Sequence, residues 1–460
     1  MTRSRISIET ALGILAASLL AAAAFGPLIG IFFDPQDFKS FLAPLSGGMG
    51  IAEYMVESWS WFEGAERVGF FRPVTSLAFM LDYPLWRGNP AGYRLDNILI
   101  HIVCCVLVMR LSRAIGAGRA GASMAGVLFA VHPGVQNAVT MIVGRHDLLA
   151  TAFGLLAVTE TIRPVTSGTQ PSRRALLLPA LLTALALGSK ELGMACLVAV
   201  PMLWLLYPGP MRASGGLWLV PVGTALVGVV YFAARLVVFG GIGGYSSINP
   251  PASMPLHLLV ILLQASGAAF FESWTVGAVW LAIAAAMAVN RLRSDRAAWA
   301  GAAVMGCVAA LFGFQTVAGI PCAHYVYAPA SVACAMLGRF ADDGKGIRRA
   351  LPSLAFLALT IPVWFVEFRE EGIAHSAATL SAEKVFESLE AVSDRFVPGE
   401  RYEIWSPVEG TAEEQEMKNV PLYMAFLRPG ECIRLRVVRD APPDPDGRGV
   451  FWENGGIVIR

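Results

Sequence analysis

At 460 residues, 55% hydrophobic and only 15% charged, with a mean hydropathy of +0.58, the chain lies outside the composition range of soluble globular proteins. Its formal net charge of +1 gives no electrostatic reason to expect a nucleic-acid or acidic-polymer partner. A bilayer core takes about 20 apolar residues per helix. The sequence supplies that many several times over, so the expected fold class is an all-α polytopic membrane protein.

In chain order, Met1-Thr-Arg-Ser-Arg5 precedes an apolar run over 9–32. The run is long for a signal peptide, so it is read as a retained helix. A loop over 33–93 follows. It opens on two acids, Asp34 and Asp37, and carries thirteen aromatic residues, a composition that suits a loop pressed against a membrane surface. Within it Ile51, Tyr54, Met55, Trp59 and Phe62 recur at helical spacing, with Glu53, Glu57 and Ser60 opposite. That pattern predicts an amphipathic helix, either at the bilayer interface or packed on the membrane domain. Further spans are expected over 94–112, 119–138, 147–163, 174–189, 191–208, 216–239, 274–292, 297–319, 325–340 and 351–368, which makes about 11 with the first. Residues 256–272 read better as a helix lying in the outer face than as a further crossing.

With the N-terminus cytoplasmic, the inner segments hold sixteen Lys and Arg against eight on the outer side, the bias expected of cytoplasmic loops. The expected domains are therefore a transmembrane domain over 1–370, with 33–93 as its first outer loop, and a small extracytoplasmic α+β domain over 371–460. In the latter, 380–396 reads as an amphipathic helix. Thr411 and Glu414 form a capping box for another, which Pro421 should bend or end. Strands are expected at 401–406, 432–439 and 449–459. Five of the seven cysteines (Cys104, Cys105, Cys196, Cys307 and Cys334) fall inside apolar spans as small hydrophobes. No C-x-x-C points to zinc or redox chemistry.

Ionisable residues near membrane depth carry the functional signal, because a charge at mid-helix costs about 2.5–3.5 kcal/mol. On this topology Asp34, Asp37, Arg72, Arg94, Asp96, His132, Arg145, His146, Asp147, Lys190, Glu191, Arg235 and His324 all come near the outer face. Snorkelling side chains decorate every membrane surface, yet a set drawn from so many loops suggests one outward polar cavity. Arg and Lys would hold a phosphate there, and a carboxylate would take a proton from an incoming hydroxyl. A proton-coupled transporter uses the same residue types, although hardly any charge falls at mid-span.

The run Phe71-Arg72-Pro73-Val74-Thr75-Ser76-Leu77, with Leu81-Asp82-Tyr83, Leu85-Trp86, Asn89-Pro90, Gly92-Tyr93, Asn97 and His101, resembles the outer-loop signature of O-mannosyltransferase-like proteins of the GT-C superfamily. These are the transmembrane-and-TPR mannosyltransferases and their bacterial relatives. The resemblance continues through His132-Pro133, Gln136, Gly144-Arg145-His146-Asp147-Leu148-Leu149, Ser189-Lys190-Glu191, Tyr231 with Arg235, Asn249-Pro250, and His324-Tyr325-Val326-Tyr327-Ala328-Pro329. It implies a GT-C fold and a polyprenyl-phosphate-linked sugar as donor. Asp34 or Asp37 would be the catalytic base. Arg72, Arg145, Lys190, Arg235, His324 and Tyr325 would be phosphate or cavity ligands, with His132 and Glu191 supporting.

No cofactor is implied with certainty; a divalent cation at the acids is the one candidate, as in some GT-C enzymes. The sequence departs from the pattern at Asp34-Pro35-Gln36-Asp37, where the relatives have adjacent acids, at Ala323-His324-Tyr325 and at Gly92-Tyr93-Arg94, and no TPR pattern follows residue 370. The function expected is sugar transfer to an acceptor hydroxyl on the extracytoplasmic side of a bacterial inner membrane. A lipid-linked sugar transporter, or an inactive scaffold of the same fold, is the alternative.

Overall fold

The computed structural model describes residues 7–57, 60–63, 66–167, 173–206, 218–241, 260, 262–270, 274–292, 323–342, 345–405, 419–429, 431, 433–438, 450–453 and 456–459. The chain divides into two compact units. One comprises Met1–Pro27, Trp61–Thr75 and Leu95–Glu371; the other comprises Leu28–Ser60, Ser76–Arg94 and Gly372–Arg460.

The first unit is helical. Among the described residues, five helical segments are long and apolar enough to cross a membrane: Ile8–Leu28, Pro90–Ala114, Ile142–Pro164, Leu219–Phe239 and Ile347–Glu370. Shorter apolar helices cover Leu176–Ser189, Glu191–Trp204 and Thr275–Val289. The Leu219–Phe239 helix shows why water is not the solvent of this surface. Thr224, Gly228, Tyr231 and Arg235, a stripe of small and polar residues at helical spacing, are buried. Val222, Leu226, Val229, Val230 and Val237 are exposed. Small and polar residues inward with aliphatic residues outward is the arrangement of a helix facing lipid.

The Ile8–Phe25 helix starts at Ser7, whose side chain accepts from the Thr10 amide. It packs on the Arg119–Ala130 helix, which packs in turn on Tyr327–Ala341. The span expected over 119–138 is interrupted. Its helix ends at Ala130, and His132 caps a new turn by accepting from the Gly134 amide at 3.1 Å. Pro133 has no amide to continue the first helix and is suited to the first position of the next. Cys104, Cys105, Cys196 and Cys334 are buried and unbridged, as their apolar surroundings suggest. The span expected at 297–319 lies outside the described residues, as do 256–259, 261, 271 and 272 of the expected 256–272 helix.

The second unit has an aromatic core. Phe38 meets Tyr423 at 4.7 Å, Phe386 at 5.5 Å and Phe426 at 5.6 Å between ring centroids. Phe41 stacks on Phe79 at 4.4 Å. The loop aromatics expected at a bilayer surface therefore pack on residues of the C-terminal region. The amphipathic helix is also shorter than its periodicity suggests, covering only Ile51–Glu57. Tyr54 is buried, with its hydroxyl donating to the Ser40 carbonyl at 3.3 Å, while Ile51 is exposed. Ser60–Glu63 and Glu66–Gly69 pair as strands, so Phe62 is not helical; Trp59 lies outside the described residues.

The C-terminal sheet has the order Arg434–Val438, Arg401–Trp405, Val450–Glu453, Gly456–Ile459. The first two pairings are parallel and the last is antiparallel. Pro421 sits in the first turn of Val420–Leu427, where its missing amide is one that a helix leaves unpaired anyway. The expected helix over 380–396 is the end of one long helix, Ile347–Glu390. The Thr411–Glu414 box lies outside the described residues.

Candidate active site

In the first unit a buried charge cluster is assembled from the short turns between helices. The Arg173–Ser189 helix stops at Lys190, which is extended, and a single turn Glu191–Gly193 follows. A Cβ at Gly193 would run into the backbone of Ala186 and Leu187, so this tight reversal requires glycine. The Thr75 hydroxyl donates to the Ser189 carbonyl at 2.9 Å, which ties the Arg72-Pro73 corner to the same turn.

Arg72 reaches Glu191 through Nε at 3.1 Å and through Nη2 at 2.8 Å, both on Oε2. Arg235 donates to the other oxygen of Glu191 at 3.3 Å and to the Tyr231 hydroxyl at 2.9 Å. One carboxylate thus serves two guanidiniums. Lys190 Nζ lies 2.6 Å from Asp147 Oδ1 and 4.5 Å from the centre of the Tyr325 ring. His146 Nε2 is 3.1 Å from Asp147 Oδ2.

Burial opposes the charge on Arg72, but Glu191, with Tyr325 and Asp147, outweighs it and holds the guanidinium above its ordinary pKa. Burial pushes Lys190 down to about 8 against the pull of Asp147. Arg145 stands in its own group, donating to Asn97 Oδ1 at 2.8 Å and lying 3.8 Å from Asp96.

The expected ligands therefore fall into two sets. Arg72, Lys190, Arg235, Tyr325 and Glu191 come together; Arg145 pairs elsewhere. His132 is a helix cap with its ring 4.7 Å from that of Trp364, and the His324 side chain lies outside the described residues. Asp147 and His146, although conspicuous beside Arg145, were expected only as outer-face charges.

In the second unit the two acids form one hydrogen-bonded corner. Asp34 Oδ1 accepts from the Gln36 amide at 2.8 Å, and Asp37 Oδ2 accepts from the Asp34 amide at 2.9 Å. This is a reciprocal capping box with Pro35 in the first helical position. Asp37 is buried, whereas Asp34 is half-buried. Arg94 steadies the corner, donating to the carbonyls of Ile31 and, at 2.8 Å, of Phe32. Burial raises the Asp34 carboxyl above the usual range, although the Gln36 amide and Arg94 hold it back. Arg94, expected only as one of the outer-face charges, is the neighbour of these acids. Its signal was the departure from the family pattern at Gly92-Tyr93-Arg94. Among the described residues no group of three His, Cys, Asp or Glu side chains could hold a metal ion.

No family model matches the sequence. The chain is 42% identical over 89 residues to the protein O-mannosyl-transferase Tmtc1 of Drosophila melanogaster, which is 19% of this chain and 10% of that protein. It is 39% identical over 88 residues to TMTC2 of Mus musculus, again 19% of this chain and 10% of the relative. The matched stretches thus span about a tenth of those relatives' length. The crystal structure of ArnT from Cupriavidus metallidurans bound to undecaprenyl phosphate superimposes with a TM-score of 0.56 over 90% of this chain and 84% of that one, at 13% identity. The chain has a GT-C-like membrane fold, and over about a fifth of its length it is similar in sequence to O-mannosyl-transferases. Its first loop is divided between the two compact units, Leu28–Ser60 and Ser76–Arg94 belonging to the second and Trp61–Thr75 to the first.

Proposed function

We propose that the protein is an integral-membrane glycosyltransferase. It would move a sugar from a polyprenyl-phosphate carrier to an acceptor hydroxyl on the extracytoplasmic side of a bacterial inner membrane, with the N-terminus cytoplasmic. The observation that carries this reading is the buried cluster of the first unit. Among the described residues it gathers three cations, Arg72, Lys190 and Arg235, with two carboxylates, Glu191 and Asp147. Buried guanidiniums and an ammonium held together in this way are the donors that bind the oxygens of an anionic phosphate. The likeness in fold to ArnT, solved with undecaprenyl phosphate, supports the same ligand class.

Asp34 is the base. It is the more accessible acid, and its burial-raised pKa makes it the stronger proton acceptor. Asp37 orients it through the capping box. As the acceptor oxygen bonds to the anomeric carbon, its proton passes to Asp34. The bond from that carbon to the phosphate oxygen breaks with its electron pair going to phosphate. Charge that develops on a departing phosphate is the kind that buried guanidiniums and ammoniums stabilise.

The experiment is to incubate the purified protein with a panel of polyprenyl-phosphate sugars and follow donor consumption. Asp34→Asn is expected to lower transfer by about 10²- to 10⁴-fold while leaving membrane insertion intact. Full activity in Asp34→Asn, Asp37→Asn and the double variant would remove the base. Donor movement across proteoliposomes without product would instead favour transport.

A further inference from the structure

The first unit contains a second basic feature that the transfer reading does not use. The Ile8–Phe25, Pro90–Ala114, Arg119–Ala130 and Arg145–Ser167 helices surround a cavity of about 420 Å³. Among the described residues its lining includes Arg110, Arg113, Arg119 and Arg163, and no acid. The carboxylates beside these arginines lie outside the lining. Glu160 is shared by Arg110 at 2.9 Å and Arg163 at 3.4 Å, and Glu9 lies 3.9 Å from Arg119. Arg113 donates to the Ala117 carbonyl, which supplies no charge. Asp342, beside Arg113 and Arg119 in an adjoining hollow, accepts from the Gly121 amide at 3.0 Å. Among the described residues the cavity thus gathers four guanidiniums in its lining, with its acids set around the rim.

The rest of the wall combines aliphatic side chains with three hydroxyls, those of Thr10, Ser123 and Thr159. Ile14, Val106, Met109 and Ala122 form its apolar part, and exposed Leu12, Leu15 and Leu19 lie on the same first helix. Arginines over an aliphatic wall at the ends of membrane helices match an anion carrying a hydrocarbon tail better than a free ion. Basic pockets between membrane helices recognise anionic headgroups in this way, bidentate guanidiniums meeting phosphate oxygens.

We infer that this cavity binds the headgroup of an anionic phospholipid of the surrounding bilayer, with one acyl chain along the Ile14 and Met109 wall. The site is distinct from the Arg72–Glu191–Arg235 cluster and does not depend on the proposed sugar transfer.

The test uses the full chain in detergent. Native mass spectrometry measures apparent affinity for phosphatidylglycerol and phosphatidylcholine, with and without inorganic phosphate at equal concentration. Phosphatidylglycerol is expected to bind at least about tenfold more tightly than phosphatidylcholine. Arg113→Gln with Arg119→Gln, both exposed positions, should remove about that factor. Arg113→Gln alone should remove about fivefold, which keeps the comparison available should the double variant melt. Arg348→Gln, an exposed arginine outside the lining, should leave the affinity unchanged. Equal binding of the two lipids, unchanged affinity in the Arg113 variants, or full displacement by inorganic phosphate overturns the inference.

Discussion

Glu191 is the residue on which the first unit's charge cluster turns, because its two oxygens hold Arg72 and Arg235 together. Removing one member of a buried ion set leaves uncompensated charge and costs about 3–5 kcal/mol. Glu191→Ala is therefore expected to lower thermal stability strongly, whereas Glu191→Gln, which retains a carbonyl acceptor, should lose less. A melting temperature unchanged in Glu191→Ala would mean that the cluster does not hold the fold together. Activity should also carry two ionisations. As the proposed base Asp34 would act deprotonated, and its pKa is raised, so on that proposal the acidic limb should lie above the ordinary carboxylate range. As a proposed phosphate ligand Lys190 would act protonated, so activity should fall as pH rises through about 8. A pH–rate profile without the basic limb in wild type, or with the same limb in Lys190→Arg, would remove Lys190 from the phosphate site.

At the scale of elements, close helix contact and turn chemistry decide the architecture. A Cβ on Gly121 would strike the Gly338 carbonyl, and a Cβ on Gly338 would strike that of Gly121. The Arg119–Ala130 and Tyr327–Ala341 helices thus cross backbone to backbone, as small residues allow in membranes. Gly121→Val is expected to cost about 1–3 kcal/mol by overpacking. Gly30→Ala, with nothing within 4 Å, should be neutral and serves as the control. Equal melting of both variants would contradict the close crossing. Hydropathy marked where the apolar helices run, because each must hide its own backbone hydrogen bonds. It could not mark the break at His132-Pro133, since apolar residues continue on both sides and only proline chemistry stops the helix. The helical spacing of Ile51 to Phe62 misled for a related reason: periodicity reports a local tendency, and the pairing of Ser60–Glu63 with Glu66–Gly69 overrides it.

For the whole molecule, orientation is the consequence to test. The Lys and Arg bias predicts that the 115–118 turn is cytoplasmic and residue 460 is outside. An alkaline phosphatase fusion after residue 460 should be active in a bacterial host, and one at 116 inactive. The reverse pattern would invert the topology and, with it, the side on which transfer occurs.

The amino-acid sequence alone determined the membrane class, the approximate helix positions and the residue types of the chemistry. All of these follow from local hydropathy and from motifs read along the chain. It also brought forward Arg72, Lys190, Glu191 and Arg235 as candidates, since charges between apolar runs need a reason. Only the tertiary structure decided how they pair, because positions 72, 191 and 235 meet by packing that no local pattern encodes. The same holds for the first loop. Its aromatics looked suited to a bilayer surface, yet Phe38 and Phe41 lie in a core with Phe386, Tyr423 and Phe79. An aromatic ring leaves water equally well for lipid or for protein, so composition could not choose between them.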